Sequence, residues 1–200
     1  MFTHLLCRPR TALAVVAALG SVGASVGAAD AASTWAYNYK LGGTATVVAR
    51  AKGTIPLSGT VAANISSDTG AVTADVKINT VTANLKEYGF VPVKAKVAFE
   101  SVGQASGQLS GSTLTTTTNQ TIRLLSATVF GVNIVQGANC RTVKPSTITL
   151  TSNPFALATG GKLTGSFAIS AVTDCGALTW DLTDAVTSTN NTVAATLTAG

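Results

Sequence analysis

The chain has 200 residues, a formal net charge of +5, and charged side chains at only 10% of its positions. An average domain carries about 25% charged residues, so this composition argues against helices with charged outer faces and favours strands and tight turns. The mild excess of basic residues is too small to indicate a nucleic-acid partner, and the length is that of one domain.

The N-terminal segment has the pattern of a secretory signal peptide. Arg8 and Arg10 precede an uncharged apolar run over residues 11–26, and small residues follow it. We expect cleavage after Ala28 or Ala31. The run is shorter than the roughly 20 residues of a membrane-spanning helix, and no second such run follows. The sequence therefore predicts a secreted protein, extracellular or associated with the cell envelope, without a transmembrane anchor.

The cysteines predict one disulfide in the exported part of the chain. Cleavage after Ala31 would leave residues 32–200 as a single domain of charge +4, because two arginines and Asp30 are removed. Cys7 lies in the leader, so Cys140 and Cys175 are the remaining thiols. An even pair in an oxidising compartment is typical of a disulfide.

Alternation of apolar and polar residues is the main structural signal. Between residues 71 and 79, Val72, Ala74 and Val76 would share one face of a strand, with polar residues on the other. No helical period persists in the chain. We therefore predict an all-β domain, an antiparallel β-sandwich or a barrel-like meander with one disulfide. Further strands are predicted over residues 35–41, 44–50, 57–65, 91–100, 121–130, 147–151, 163–169 and 192–198.

An internal similarity predicts that one strand-turn-strand unit occurs twice. The segment that begins at Leu57 aligns without a gap on the segment that begins at Leu163, and Asp68 falls on Asp174. Chance similarity in a biased composition is the alternative interpretation.

The sequence predicts no nucleophilic catalytic site in the exported part of the chain. The single histidine, His4, and a Gly-x-Ser-x-Gly motif at residues 23–27 both lie in the leader. Without histidine, the exported chain cannot assemble a Ser-His-Asp or Cys-His site. Asp68-Thr69-Gly70 and Asp174-Cys175-Gly176 resemble a pair of aspartic-protease triplets, but a solvated turn explains Asp68 better, since two serines precede it.

Metal and cofactor sites are not predicted. The exported chain offers no zinc ligand set and no regular calcium loop. Asp181 and Asp184, near Asp174, could form a weak calcium site. The alternative interpretation, which is the more common one, is that these acids are solvated loop residues. We predict no cofactor and no catalytic residue.

Aromatic residues beside glycine turns are the candidate ligand-binding residues. Tyr88-Gly89-Phe90 is loosely repeated by Phe130-Gly131-Val132, and both lead into apolar strands. We predict a lipid-contacting lip formed by Tyr88, Phe90, Val91, Phe130 and Trp180. The alternative is a hairpin corner whose rings cap the core.

Basic residues near these turns could steer anionic lipid head groups. Lys86, Lys94 and Lys96 would lie on the polar face of one hairpin, with Arg50 and Lys52 as neighbours. Solvated lysines that discourage edge pairing are the alternative.

Several segments carry a resemblance to a known family: Phe90-Val91-Pro92-Val93, Asn139-Cys140-Arg141-Thr142, Lys144-Pro145-Ser146, the run from Gly160 to Gly165, and Asp174-Cys175-Gly176-Ala177-Leu178-Thr179. They resemble small secreted actinobacterial β-rich proteins, some of them labelled cholesterol esterase. The resemblance covers the chain from about Gly53 onward. It implies an extracellular role associated with lipids or sterols, and it carries over no catalytic residue.

Three functions follow as hypotheses. The leading one is a secreted, non-catalytic protein that interacts with a lipid or a sterol. The alternatives are a cholesterol-esterase-like hydrolase of non-classical mechanism and a structural protein of the cell envelope or surface. The ligand, the strand order, the oligomeric state and whether the core is solid or hollow are left open at this stage.

Overall fold

The computed structural model describes residues 33–200, and the predicted leader, with its cleavage positions, His4 and serine motif, lies outside the described residues. The described part forms strands β1 to β13 and one helix, α1. Their bounds are β1 Thr34–Val47, β2 Ala51–Ser66, β3 Ala71–Ile78, β4 Val81–Glu87, β5 Val91–Ser101, β6 Ala105–Ser110, β7 Thr113–Val129, β8 Val132–Asn133, β9 Arg141–Thr142, β10 Ser146–Ser152, β11 Gly160–Ile169, β12 Val172–Thr173, α1 Thr179–Val186 and β13 Ser188–Ala199.

The long strands close into a barrel. Strands β3 and β4 both pair with β2, at different parts of its length. Strands β6 and β5 pair with β7 in the same way. Each of these two sets, β3–β4 and β5–β6, therefore occupies the place of one interrupted strand in the wall. Each wall strand is antiparallel to its chain neighbour, and β13 returns to pair with β1. The wall therefore has eight members: β1, β2, β3–β4, β5–β6, β7, β10, β11 and β13. The predicted all-β class is confirmed, and closure selects the barrel-like meander over the sandwich.

The two interruptions are bridged by local hydrogen bonds. Between β3 and β4, the backbone N–H of Asn79 donates to the carbonyl of Ser58 at 2.8 Å, and its side-chain amide donates to Ser58 Oγ at 3.1 Å. Between β5 and β6, the N–H of Val102 donates to the carbonyl of Asn119 at 2.9 Å. These bonds keep the wall continuous where the ladder changes register.

Period-2 alternation places the core inside the barrel. Along β2, the inward positions carry buried apolar side chains such as Ile55 and Val61, and most of the intervening ones, such as Lys52 and Thr60, are exposed. Because side chains of successive strand residues point to opposite faces, this alternation in most of the wall strands gives an apolar interior and a polar outer surface.

The barrel has two distinguishable ends. The end that we call the helix end carries α1 and the turns at residues 48–50, 88–90 and 130–131. The opposite end carries the turns at residues 67–70 and 111–112 and the longer connection at 153–159.

The disulfide joins the two long connections at the helix end. Cys140 precedes β9 and Cys175 follows β12, with their Cα atoms 4.2 Å apart and both residues fully buried. They pack with Val135, Val172 and Leu182 in a small cluster of their own. The predicted Cys140–Cys175 pairing is confirmed.

Two of the predicted strands are one. Residues 35–41 and 44–50 were separated by Gly42-Gly43, yet β1 runs without a break from Thr34 to Val47. A Cβ on Gly43 would lie 2.3 Å from the carbonyl oxygen of Ala194. Glycine is therefore required here for the close approach of β13, and it does not mark a turn.

The second copy of the predicted repeat does not form a strand-turn-strand unit. The first copy does, as β2 and β3, but residues 179–186 form α1, which the sequence did not predict. Asp174 and Gly176 adopt positive φ angles of 58° and 94°, which turn the chain next to the disulfide. The Thr179 hydroxyl then accepts from the N–H of Cys175 at 3.2 Å and donates to the carbonyl of Gly176 at 2.7 Å, beside the start of the helix.

Candidate functional site

The barrel interior contains two apolar cavities, each of about 90 Å³. One lies toward the opposite end and contacts Tyr39, Val61 and Phe155. The other lies toward the helix end and contacts Leu85 and Leu182. Their linings are almost entirely carbon, so they favour a ligand whose buried part is hydrocarbon.

Three residues line both cavities and so mark the boundary between them: Ala45, Phe99 and Phe167. Phe167 is 5% exposed, and Phe99 is half-buried. These two rings are the largest side chains at the boundary, so their positions decide whether the interior is two small spaces or one long one.

Short side chains at inward positions explain why the interior is hollow. An eight-stranded barrel is just wide enough to be filled by large side chains or to hold one small ligand. Alanine removes most of the volume that a leucine or valine would supply at the same position. The cavity-lining alanines are Ala45, Ala51, Ala63, Ala74, Ala95, Ala105, Ala127, Ala185 and Ala195.

The few polar groups of the first cavity are Tyr39, Thr116 and Thr118. The Tyr39 hydroxyl donates to the carbonyl of Leu157 at 2.8 Å and ties the connection between β10 and β11 to the wall. Burial raises the pKa of Tyr39, and the neighbouring Tyr37 raises it further. Tyr39 therefore remains a protonated donor and is already occupied by a backbone partner.

The second cavity contacts one carboxylate, Glu87, which is engaged by Arg50. Arg50 Nε lies 2.8 Å from Glu87 Oε1, a second guanidinium nitrogen binds Asp184, and a third donates to the carbonyl of Asp181 at 3.1 Å. The guanidinium carbon also lies 5.2 Å from the centre of the Tyr88 ring. Within residues 33–200, the cavity linings hold no nucleophile beside a free base, so their chemistry is that of binding.

The predicted aromatic turns have the same construction. Tyr88 and Gly89 have φ angles of 52° and 84°, and Phe130 and Gly131 have 48° and 86°. Positive φ at two successive residues is the pattern of a type I′ turn. The second loop has two residues between the paired Val129 and Val132, whereas the first has three between Glu87 and Val91. A bulky aromatic residue at positive φ costs on the order of 1 kcal/mol, and asparagine or glycine is the usual occupant of that position.

The structure brings the predicted lip residues to one end of the barrel. Val93 pairs with Val129, so the two aromatic turns are neighbours at the helix end, and Arg50 connects Tyr88 to α1, which carries Trp180. None of the five predicted ligand-binding residues lines a cavity: Tyr88, Phe90, Phe130 and Trp180 are exposed on the outside, and Val91 is half-buried. Their role in lipid contact stays a prediction, and it concerns the surface.

The acidic motifs are not assembled into a site. Asp68 accepts from Ser67 Oγ at 2.7 Å at the opposite end, whereas Asp174 lies beside the disulfide at the helix end. Asp184 is bound to Arg50. Among the residues that the structure describes, no group of three or more His, Cys, Asp or Glu side chains could hold a metal ion.

The sequence did not indicate the interior as a site. Ala63, Ala95 and Phe167 appeared only as inward members of alternating strands, and alternation specifies a face without specifying the volume behind it. A run of alanines at inward positions is the signal that could have found it.

The described helix is too short to cross a membrane, since no helix within residues 33–200 combines the necessary length and apolar character. In comparisons with known proteins, the chain matches no protein-family model, no curated protein and no solved structure.

Proposed function

We propose that this chain is a secreted protein that binds an apolar small molecule, a lipid or a sterol, inside its barrel. One observation carries the proposal: inward-facing alanines leave two hydrocarbon-lined cavities in a wall that larger side chains could have filled. Native interiors are otherwise packed at the density of organic crystals, so two apolar cavities in one barrel support a role in binding.

The energetics favour an apolar occupant. Empty apolar space forfeits dispersion contacts, and water gains little there because so few polar partners line it. A hydrocarbon ligand would gain about 25 cal/mol for each Å² of apolar surface that leaves water. The two cavity linings offer few polar atoms, so a polar head group is expected to lie at one end of the barrel.

The boundary residues set the size of the ligand. A molecule confined to one cavity must be small, whereas movement of the Phe99 and Phe167 rings would join the two spaces along the barrel axis. An acyl chain or a sterol would need that longer space. The predicted leader and the disulfide support an extracellular setting for such binding.

Matched alanine substitutions test the proposal. Ala45 lines both cavities, and Ala83 is equally buried, at 1% exposed against 3%, but lines neither. We expect Ala45→Leu to fill the space, keep the stability of the wild type and weaken binding of a fluorescent polyene fatty acid or sterol by at least about tenfold, or 1.4 kcal/mol. Fluorescence titration of the purified protein measures this.

The control separates occupancy from damage to the fold. Ala83→Leu is expected to overpack the interior, lower the free energy of unfolding by about 1–3 kcal/mol and leave ligand affinity unchanged. Ala45→Val provides a milder filling variant. Failure of the wild type to bind either probe well above micromolar concentration would refute the proposal, as would equal affinity in the Ala45→Leu variant.

A further inference from the structure

Exposed apolar side chains concentrate at the helix end of the barrel. Phe90 and Phe130 are each 77% exposed, Trp180 is 75% exposed and Tyr88 is 63% exposed. Val48, in the turn at residues 48–50, and Val132, at the start of β8, are also exposed at this end. Singly exposed apolar residues are ordinary on a protein surface, but a group gathered at one end marks an interaction surface.

The backbone conformation of the two turns gives no local reason for aromatic residues at Tyr88 and Phe130. Tyr88 and Phe130 both occupy the left-handed region that favours glycine or asparagine. Both side chains nevertheless stay largely exposed at the ends of hairpins, and the Tyr88 ring has a cation–π contact with Arg50 on one side. The strain and the exposure are explained together if the rings have a partner outside the barrel.

A strip of four lysines lies on the outer wall next to these turns. Lys52 and Lys86 are directly opposite each other on β2 and β4, Lys94 is diagonal to Lys86 on β5, and Lys96 follows on the same face. All four side chains are exposed, and none forms an ion pair with another residue of the described range 33–200. Like charges directly opposite on neighbouring strands are destabilising, so this pair is also not explained by the fold.

The lysine strip reaches the aromatic turns. The Lys52 ammonium nitrogen lies 3.9 Å from the position that a Cβ on Gly89 would occupy. Lys52 and Lys86 also line a shallow surface groove of about 590 Å³, together with Thr54 and Asn84. Cationic and aromatic groups therefore form one continuous surface.

We infer that the helix end docks on an anionic lipid bilayer, with the exposed rings of Tyr88, Phe90, Phe130 and Trp180 in the interface and the lysine strip against the head groups. Aromatic rings favour the boundary between water and hydrocarbon, and lysines near that boundary are attracted by anionic lipids. Rings that project from rigid turns suit a surface into which they can insert. The charge pattern selects an anionic membrane over a zwitterionic one.

Docking of this kind is independent of the proposed ligand. The rings and lysines lie on the outer surface and none of them lines a cavity. A protein with a filled barrel would still bind membranes, and a protein without the rings would still bind a ligand, so the two proposals fail separately.

Sedimentation with lipid vesicles tests the inference. We expect the purified protein to bind vesicles of phosphatidylglycerol mixed with phosphatidylcholine, and to bind pure phosphatidylcholine vesicles at least about tenfold more weakly. The double variant Lys52→Gln/Lys86→Gln should lose roughly thirtyfold in affinity for the anionic vesicles, and added salt should have a similar effect. The double variant Phe90→Ser/Phe130→Ser should lose at least about tenfold.

Matched controls exist elsewhere on the barrel. Trp35 is 51% exposed near the opposite end, and Lys40 and Lys77 lie on another part of the outer wall. Trp35→Ser and Lys40→Gln/Lys77→Gln should bind vesicles like the wild type. Equal loss in these controls, equal binding to both vesicle types, or self-association through the aromatic turns without vesicles would overturn the inference.

Discussion

Replacement of Phe167 by alanine is expected to lower the free energy of unfolding by about 3–5 kcal/mol. The ring is 5% exposed and lines both cavities, so its removal deletes buried surface next to space that is already empty. Neighbouring side chains cannot collapse fully into the enlarged space, because the closed wall fixes the positions of the strands. Chemical denaturation of the two proteins measures the difference.

The same substitution should change what the barrel holds. With the Phe167 ring removed, the two cavities would join. The affinity for longer acyl chains should therefore rise relative to the affinity for shorter ones. Phe90→Ala is the matched control, because that ring is 77% exposed and its loss should alter stability by no more than about 0.5 kcal/mol. A loss below about 1 kcal/mol in the Phe167→Ala variant would mean that the ring is not packed in the interior.

Removal of the disulfide in the double variant Cys140→Ala/Cys175→Ala is expected to cost about 4 kcal/mol of stability. The bond closes a loop with a sequence separation of 35, and chain entropy of the unfolded state gives this magnitude. Both residues are fully buried, so small packing losses add to it. The loss of local stability should be largest at the helix end. There the carbonyl of Cys175 accepts from the N–H groups of Gln136 and Gly137 at 3.0 and 3.2 Å.

Reduction of the wild type provides the internal comparison. A reducing agent should lower the denaturation midpoint of the wild type toward that of the double variant and leave the variant itself unchanged. Amide hydrogen exchange should show the first loss of protection in the segments around α1 and residues 134–143. Equal midpoints for the oxidised wild type and the double variant would contradict the expected contribution of the bond.

Most strands with apolar inward positions were predicted from the sequence, although β4, with Val81, Ala83 and Leu85 on its inward face, was not. Val72, Ala74 and Val76 alternate with polar residues and do form β3. The first half of β7, Thr113–Gln120, was missed because threonines occupy both faces, and β6 was missed because serine and glycine interrupt its pattern. In both strands, pairing with neighbours decides the structure where side-chain pattern does not.

The disulfide could also be predicted from the sequence, because Cys7 lies in the predicted leader and Cys140 and Cys175 are then the one possible pair. Barrel closure could not, since it depends on β13 reaching β1 after the whole chain has passed around the wall. The hollow interior was not predictable for the same reason. Ala63 on β2 and Ala195 on β13 become neighbours of one cavity only when the circumference is complete.

The two aromatic hairpin turns were predicted from the sequence, but the direction in which their rings point was not. The glycines after Tyr88 and Phe130 correctly indicated hairpin turns, and both turns lie at the same end. Their relation to the interior could not be inferred, because a turn residue can fold over the end of a barrel or project away from it. In this chain the Tyr88 and Phe130 rings project away.

Native mass spectrometry of the protein, purified without detergent from the cells or culture medium in which it is produced, tests most directly whether the barrel holds an apolar molecule. We expect a complex heavier than the polypeptide by one apolar molecule, which organic solvent extracts and which the Ala45→Leu variant lacks. A bare polypeptide mass and an empty extract from wild-type protein would contradict an interior that binds lipid or sterol.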